Sequence, residues 1–229
     1  MNTRRQSPAR APEYELYVDP ACPWSWLAAR WLLRVAAKRE LPLRLRSLSL
    51  WLRSGDEQAV GMPPMFRELA VATSKQSLRL LRVFEALRAQ GRASEIEPLY
   101  LAWGDRVFQP GPPTPPSPTL VEELLVAAGL EGFLTAADDV YWDAAIEAST
   151  AKLAALAGPE PLVPTLVGDA PAQPLACYAP RRVIFTGAVV SAPLSAAAGL
   201  ELWDAVSTAS KEPAFVAITT DNRPMPAFA

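Results

Sequence analysis

Residues 17–26 read Tyr-Val-Asp-Pro-Ala-Cys-Pro-Trp-Ser-Trp, and the fold prediction starts from this stretch. An apolar run ends at Asp19-Pro20, a pair that favours a turn. Pro23 suits the first position of a helix, where its missing N–H costs nothing. Cys22 is therefore expected where a helix begins, among unpaired backbone N–H groups and at the positive end of the helix dipole. Both stabilise a thiolate, so the stretch predicts a nucleophilic cysteine at a strand-to-helix junction.

The segments around this junction predict a strand, a helix and a second strand. Residues 13–18 are rich in aromatic and β-favouring side chains, which is typical of a strand. Residues 24–39 have apolar side chains at helical spacing, with cations toward the C-terminal end. Residues 41–52 alternate apolar and polar side chains with one slip of phase at Arg46-Ser47, and predict a half-buried strand.

Residues 55–158 predict an inserted block of helices, because their periodicity is helical and strand signals are few. The predicted helices cover residues 64–90, 93–108, 118–128 and 136–157. The proline-rich stretch 110–118 cannot be helical and favours an extended, polyproline-like conformation. We interpret it as a stiff surface connector, with a recognition segment as the alternative.

Two further strands and a helix follow the block. Residues 161–168 and 182–190 predict strands that can pair as an antiparallel hairpin. Residues 196–211 predict an amphipathic helix with Leu200, Leu202, Trp203 and Val206 on its apolar side. We therefore predict an α/β protein: a disordered leader at 1–12, a sheet domain at 13–54 and 159–229, and a helical insertion domain at 55–158.

Composition limits the classes of function. The net charge is −2, from 22 basic and 24 acidic residues, which gives no basic field for nucleic acid or a membrane surface. No segment has the roughly 18 uninterrupted apolar residues of a membrane span. The chain has no histidine, which excludes Ser-His and Cys-His nucleophile pairs and histidine metal sites. With Cys22 and Cys177 alone, we expect neither a disulfide framework nor a zinc site, and a reducing, cytoplasmic compartment.

The order of these elements, with a cysteine at the first strand-helix junction and Val-Pro-Thr at 163–165, resembles the thioredoxin fold of the DsbA-like superfamily with a helical insertion. Within it, the chain is most similar to the mycothiol-dependent nitroreductase family of actinobacteria. The resemblance is carried by residues 19–26, 30–31, 47–48, 163–165, 202–205 and a proline-rich tail ending near Phe228. That family usually has Cys-Pro-Trp-Cys, whereas this chain has Ser25 at the second cysteine position.

The resemblance implies a site made of two segments. Cys22 is its catalytic thiol, and the residues that bind substrate and thiol are Pro23, Trp24, Val163, Pro164 and Thr165. Trp24 is expected to wall the substrate site. Pro164 is expected to follow a cis peptide bond, and Val163 to offer backbone groups to the incoming thiol compound.

Ser25 is the second catalytic residue that we predict, and it changes the chemistry that this site can perform. Its hydroxyl, one turn after Cys22, can donate to the sulfur but cannot resolve a mixed disulfide, so an external thiol or Cys177 must do so. In a thioredoxin-like hairpin the turn that holds Cys177 lies about five residues, at roughly 3.3 Å each, from the active cysteine. That span exceeds disulfide reach, so we predict an external thiol and an incidental Cys177, although the long loop at 168–181 keeps the alternative open.

Asp19 has two interpretations. As the residue before Pro20 it is expected to form the turn, and this is the interpretation we prefer. The alternative is that its carboxylate tunes or relays the proton of Cys22.

Three functions follow. The leading hypothesis is a DsbA-like monothiol oxidoreductase or thiol transferase, in which Cys22 exchanges with mycothiol or glutathione as co-substrate and a small-molecule substrate lies against the helical insertion. The second is a thiol-dependent isomerase or transferase on a small aromatic substrate, similar to chromene-carboxylate isomerases and kappa-class glutathione transferases, in a biosynthetic or degradative pathway. The third is a redox-inactive binding protein. We expect no tightly bound cofactor, metal, nucleic acid or membrane partner, and a homodimer is left open.

Overall fold

The computed structural model describes residues 13–108, 114–169, 181–212, 214–219 and 226–228. Within these ranges five strands form one sheet: β1 Tyr14–Val18, β2 Leu43–Ser47, β3 Thr165–Asp169, β4 Arg181–Thr186 and β5 Ile218–Thr219. The α-helices are α1 Pro23–Arg39, α2 Leu50–Ser54, α3 Pro64–Ala89, α4 Ile96–Val107, α5 Leu120–Ala127, α6 Asp143–Ala157 and α7 Ala196–Lys211. Short 3-10 segments cover Gly55–Ala59, Ala93–Glu95, Glu131–Asp138 and Val140–Trp142. The predicted leader and Cys177 lie outside the described residues.

The sheet has the strand order β2-β1-β3-β4-β5. β1 and β2 are parallel, as a crossover through α1 requires. β3 is antiparallel to both β1 and β4, so the predicted hairpin is confirmed, and β5 is parallel to β4. Tyr17 at the end of β1 pairs with Thr165 at the start of β3. The Cys22 turn and the Val163-Pro164 turn therefore lie at the same end of these two neighbouring strands.

α1 begins where the sequence predicts. Cys22 is its N-cap with extended backbone angles, and Pro23 occupies the first helical position. Lys38 and Arg39 lie in the last turn, where cations interact favourably with the helix dipole. The helix ends at Arg39, and its C-cap Glu40 adopts the left-handed conformation with a φ of 52°.

Three predicted elements differ from the structure at their ends. The strand predicted over 41–52 ends at Ser47, because Ser49 caps α2 by accepting a hydrogen bond from the Leu52 N–H at 3.2 Å. β3 starts at 165 rather than 161, since Pro164 has no N–H for the strand ladder. β4 ends at 186 rather than 190, before Gly187, whose φ of 87° leaves the strand conformation.

The helical block is close to the prediction in its long helices. The helix predicted over 136–157 is shorter, because 3-10 segments precede α6. All five strands lie outside 55–158, yet one continuous core joins the sheet, α1 and the block, with members such as Leu16, Trp31, Leu81 and Leu125. The division into two domains therefore stays a prediction. Among the helices of the described ranges, none is long and apolar enough to cross a bilayer.

Candidate active site

Cys22 is held at the junction between β1 and α1. Its N–H donates to the Asp19 carbonyl at 2.9 Å, and its carbonyl accepts from the Trp26 N–H at 3.2 Å. The thiol is 4% exposed, and Sγ donates to the Val163 carbonyl at 3.7 Å. The two segments predicted to form the site, whose contacting residues are 141 positions apart in the chain, are therefore in direct contact.

The Val163–Pro164 peptide bond is cis, the isomer that the resemblance implied. The turn is fixed on both sides by hydrogen bonds. The Gly187 N–H donates to the Pro164 carbonyl at 2.8 Å, and Thr165 Oγ1 donates to the Leu162 carbonyl at 2.7 Å. Thr165 Oγ1 also lies 2.6 Å from Thr186 Oγ1. The buried Thr165 hydroxyl is thus engaged with protein partners, which suits a role in holding the turn.

Asp19 is almost completely buried beside this junction. Its Oδ1 accepts from the Ala21 N–H at 2.8 Å, which is the local turn that the sequence predicts. Oδ2 accepts from the Leu50 N–H at 2.7 Å, and the Ser77 hydroxyl donates to Oδ1. Burial raises the pKa of the Asp19 carboxyl, and these hydrogen bonds and the Arg53 charge offset only part of that shift. Asp19 therefore joins the Cys22 turn to α2 and α3.

The helical block supplies a third side of the site, as the leading hypothesis expects, through residues that the sequence analysis did not single out. Ser77 in α3 accepts from the Ala21 N–H at 3.2 Å, and Trp103 Nε1 in α4 donates to the Pro20 carbonyl at 2.8 Å. Tyr100, one turn before Trp103, is also buried, and burial together with the charges of Cys22 and Asp19 raises its pKa. Helical spacing places Tyr100 and Trp103 on one face, but it does not tell which face meets the sheet.

A family model described as Rv2466c-like, mycothiol-dependent nitroreductase Rv2466c, matches residues 21–220. The chain belongs to the Rv2466c-like family. The matched region contains Cys22 and the Val163-Pro164 turn, so it includes both segments of the site. Membership places the chain among thiol-dependent oxidoreductases and identifies it as an enzyme of that class.

Two solved structures are similar to this Rv2466c-like chain. One, from Nitrosomonas europaea, is assigned as a protein disulfide isomerase; it has 16% identity and a TM-score of 0.54, over 87% of this chain and 98% of that one. The other, from Streptomyces coelicolor, is assigned as a DsbA oxidoreductase; it has 17% identity and a TM-score of 0.51, over 94% and 93% of the two chains. At such identities the likeness concerns the fold, which is the DsbA-like thioredoxin fold with a helical insertion.

The remaining predicted site residues lie on the first turn of α1. Pro23 and Trp24 are partly exposed, and Trp24 packs against an apolar cluster around Cys22 that contains Tyr17, Leu48, Leu153, Val163 and Val167. Ser25 is fully buried, and its hydroxyl has no hydrogen-bond partner among the described residues. The hydrogen bond from Ser25 to the Cys22 sulfur, which its position suggested, is therefore not formed.

The electrostatics of this Rv2466c-like site act on the sulfur in opposite directions. The Val163 carbonyl accepts a hydrogen bond from the thiol and so favours the protonated form. The N–H groups of the first turn of α1 and the helix dipole favour the thiolate. In the described part of the chain, no group of three or more side chains is arranged to hold a metal ion.

Proposed function

We propose that this chain is a monothiol thiol-disulfide oxidoreductase that uses Cys22 with a low-molecular-weight thiol, mycothiol or glutathione, as co-substrate. One observation carries the proposal: the Cys22 sulfur contacts the Val163 carbonyl at a helix N-terminus, while the position one turn later is a serine. A thiolate in this place can attack a disulfide, but the motif has no second thiol to resolve the product.

The proposed cycle has two exchange steps. The Cys22 thiolate attacks one sulfur of a substrate disulfide; a bond from Cys22 to that sulfur forms, the substrate S–S bond breaks, and the leaving thiolate takes the electron pair. The co-substrate thiolate then attacks the substrate sulfur of the mixed disulfide. The Cys22 thiolate leaves, and the substrate sulfur ends in a disulfide with the co-substrate. The substrate is reduced, and the co-substrate is oxidised.

The residues beside Cys22 have matching roles in this proposal. The backbone of Val163 lies against the sulfur and is proposed to pair with the thiol compound, and Pro23 and Trp24 form the partly exposed wall. Asp19, whose pKa is raised by burial, is proposed to exchange protons with Cys22 in addition to holding the turn. Dependence on a reduced small thiol requires a reducing compartment, so a cytoplasmic location is part of the proposal.

Intact-mass spectrometry tests the proposal. The reduced protein is mixed with oxidised glutathione or with mycothiol disulfide, and one adduct per chain is expected. Cys22→Ser should remove the adduct, whereas the matched variant Cys177→Ser should keep it. An adduct that persists in Cys22→Ser and disappears in Cys177→Ser would overturn the assignment of Cys22.

A second candidate is a thiol-dependent isomerase or transferase acting on a small aromatic substrate. The serine at position 25 favours it, because a motif with one thiol suits chemistry in which the thiol is added and later released without net oxidation. The two functions differ in thiol consumption. The oxidoreductase consumes thiol in proportion to product, whereas the isomerase needs only a catalytic amount. Turnover of a candidate substrate with no loss of thiol would favour the isomerase.

A further inference from the structure

We propose that the hydroxyl of Tyr100 is a positioning group for the thiol chemistry, which donates a hydrogen bond to the Cys22 sulfur when that sulfur is a thiolate. The inference rests on the proposed function, because it assigns a role in forming the same nucleophile. It extends the site into α4.

The packing of α4 directs Tyr100 toward the Cys22 turn. Trp103 Nε1 bonds the Pro20 carbonyl at 2.8 Å, and Gly104 lies so close to α1 that a Cβ there would be 2.4 Å from Trp26 Nε1. Tyr100 precedes these residues by about one turn and lies on the same face of the helix. The Phe84 ring, 6.4 Å from the Tyr100 ring between centroids, packs beside it. Tyr100 thus lies on the face of α4 that contacts Pro20 and α1, on either side of Cys22 in the sequence.

The Tyr100 hydroxyl is an unexplained polar group in this packing. It is on a residue that is 1% exposed, and it has no hydrogen-bond partner in the described ranges. Buried tyrosine hydroxyls usually have a partner, because leaving one unsatisfied costs free energy. Burial and the nearby charges of Cys22 and Asp19 raise its pKa, so the phenol stays protonated and remains a hydrogen-bond donor near the sulfur.

When Cys22 ionises, its thiolate is stabilised by hydrogen-bond donors such as the Tyr100 hydroxyl. The Val163 carbonyl accepts from the thiol, but it repels a thiolate, which must receive hydrogen bonds instead. The titratable groups that surround the sulfur are Asp19 before α1, Tyr17 in β1 and Tyr100 in α4, with the Arg53 charge in α2 acting on Asp19. The sides contributed by β3 and α6 are apolar, with Val163, Val167 and Leu153. Of these groups, Tyr100 is the hydrogen-bond donor whose pKa is raised by the charge of Cys22.

The test is the pH dependence of Cys22 alkylation by iodoacetamide, with the modified residue identified by mass spectrometry. Tyr100→Phe should move the midpoint upward by about one pH unit, because a charge-assisted hydrogen bond to the thiolate is lost. Its thermal unfolding midpoint should be unchanged or higher, because the hydroxyl has no protein partner to lose and an unsatisfied buried hydroxyl is itself destabilising. A role in packing alone would not move the midpoint.

Tyr17→Phe is the matched control. It removes a hydroxyl that is equally buried and also has no partner in the described part of the chain, but the charges that act on it are those of Glu15, Arg46 and Arg181. The midpoint should not move in this variant. Equal shifts in both variants, or no shift in Tyr100→Phe, would overturn the proposal for Tyr100 while leaving Cys22 as the nucleophile. A Cys22 that is not alkylated at any pH in the wild type would overturn the proposed function as well.

A second measurement covers the case in which Tyr100→Phe does not fold. Uniform replacement of tyrosine by fluorotyrosine makes each phenol a stronger donor without removing one. In a protein that also carries Tyr17→Phe, the alkylation midpoint should then fall. A midpoint that does not respond would contradict the role of Tyr100.

Discussion

Asp19 is the acidic side chain that lies closest in sequence to the Cys22 thiol. It is 1% exposed, and burial raises the pKa of its carboxyl above the ordinary value in spite of three hydrogen bonds. Between the ordinary and the raised pKa, the folded protein keeps a proton that the unfolded chain has released. The free energy of unfolding must therefore decrease as pH rises through that interval.

The variant Asp19→Asn tests this pH dependence of the free energy of unfolding. The variant is expected to lose a pH-independent amount of stability, because an amide N–H would face the Ala21 or Leu50 N–H. The stability of the wild type relative to Asp19→Asn should fall as pH rises above about 4, by about 1.4 kcal/mol for each unit of pKa shift. Urea unfolding at a series of pH values measures the difference. The exposed control Asp56→Asn should give a flat difference, and a flat result for Asp19→Asn would contradict the buried, shifted carboxyl.

Because Ser25 replaces the second cysteine of the motif, this chain cannot form a disulfide within the motif. Ser25 lies three positions after Cys22 on the same helical face, and on an ideal helix Cα atoms at this spacing are about 5 Å apart, within the range of about 4.4–6.8 Å that a disulfide spans. Ser25→Cys should therefore lose two thiols on oxidation and regain them with a reductant, as a thiol titration would count. Ser25→Ala should behave as the wild type. An unchanged thiol count after oxidation of Ser25→Cys would show that the two positions do not meet.

At the scale of elements, α4 packs against α1 through the pair Gly104 and Trp26. A Cβ on Gly104 would lie 2.4 Å from Trp26 Nε1 and 2.6 Å from Cδ1. The Trp26 ring has little freedom to move, because the Arg30 guanidinium lies 4.4 Å from its centroid and the Phe108 ring packs beside it. The contact therefore requires a residue without a side chain in α4.

Gly104→Ala should lower the free energy of unfolding by about 1–3 kcal/mol, since overpacking at this contact outweighs a helix-propensity gain of about 1 kcal/mol. Gly132→Ala is the control, because no atom lies within 4 Å of the Cβ that it would add. It should be neutral or stabilising. Chemical denaturation of both variants measures the difference, and equal effects would mean that α4 is not packed on α1 as described.

The parts of the site that could be predicted from the sequence are those fixed by local rules. Asp19-Pro20 ends a strand and Pro23 starts a helix, so Cys22 was expected at a helix N-terminus, and the structure has it there. Val163-Pro164 was expected beside it through the family resemblance. Tyr100 and Trp103 were not predicted, because periodicity defines the faces of a helix but tertiary packing decides which face meets the turn. α2 was missed since its sequence also alternates like a strand, and the cap at Ser49 decided the outcome.

Across the whole molecule, an ion cluster around the buried Glu15 connects the sheet to the helical block. Glu15 in β1 is 2% exposed and accepts from Arg46 Nε in β2 at 2.6 Å and from Lys152 Nζ in α6 at 3.1 Å, with Arg181 of β4 at 3.6 Å. Burial would raise the pKa of Glu15, but the hydrogen bonds from Arg46 and Lys152 and the two arginine charges outweigh it, and the net shift is downward. Two acids of the β1 region, Glu15 and Asp19, thus have pKa shifts of opposite sign.

The variant Glu15→Gln should show how much this ion cluster contributes to the free energy of unfolding. Because the folded pKa is lowered, the stabilisation is fully present above the ordinary pKa of about 4.3 and is lost as pH falls through the folded value. At neutral pH the variant should be less stable by about 2 kcal/mol, since charged hydrogen bonds from two elements are weakened, and the deficit should shrink in acid. Urea unfolding across the same pH series measures it, with the exposed Glu131→Gln as the control. A deficit that stays constant into acid would mean that the carboxylate charge does not join the sheet to α6.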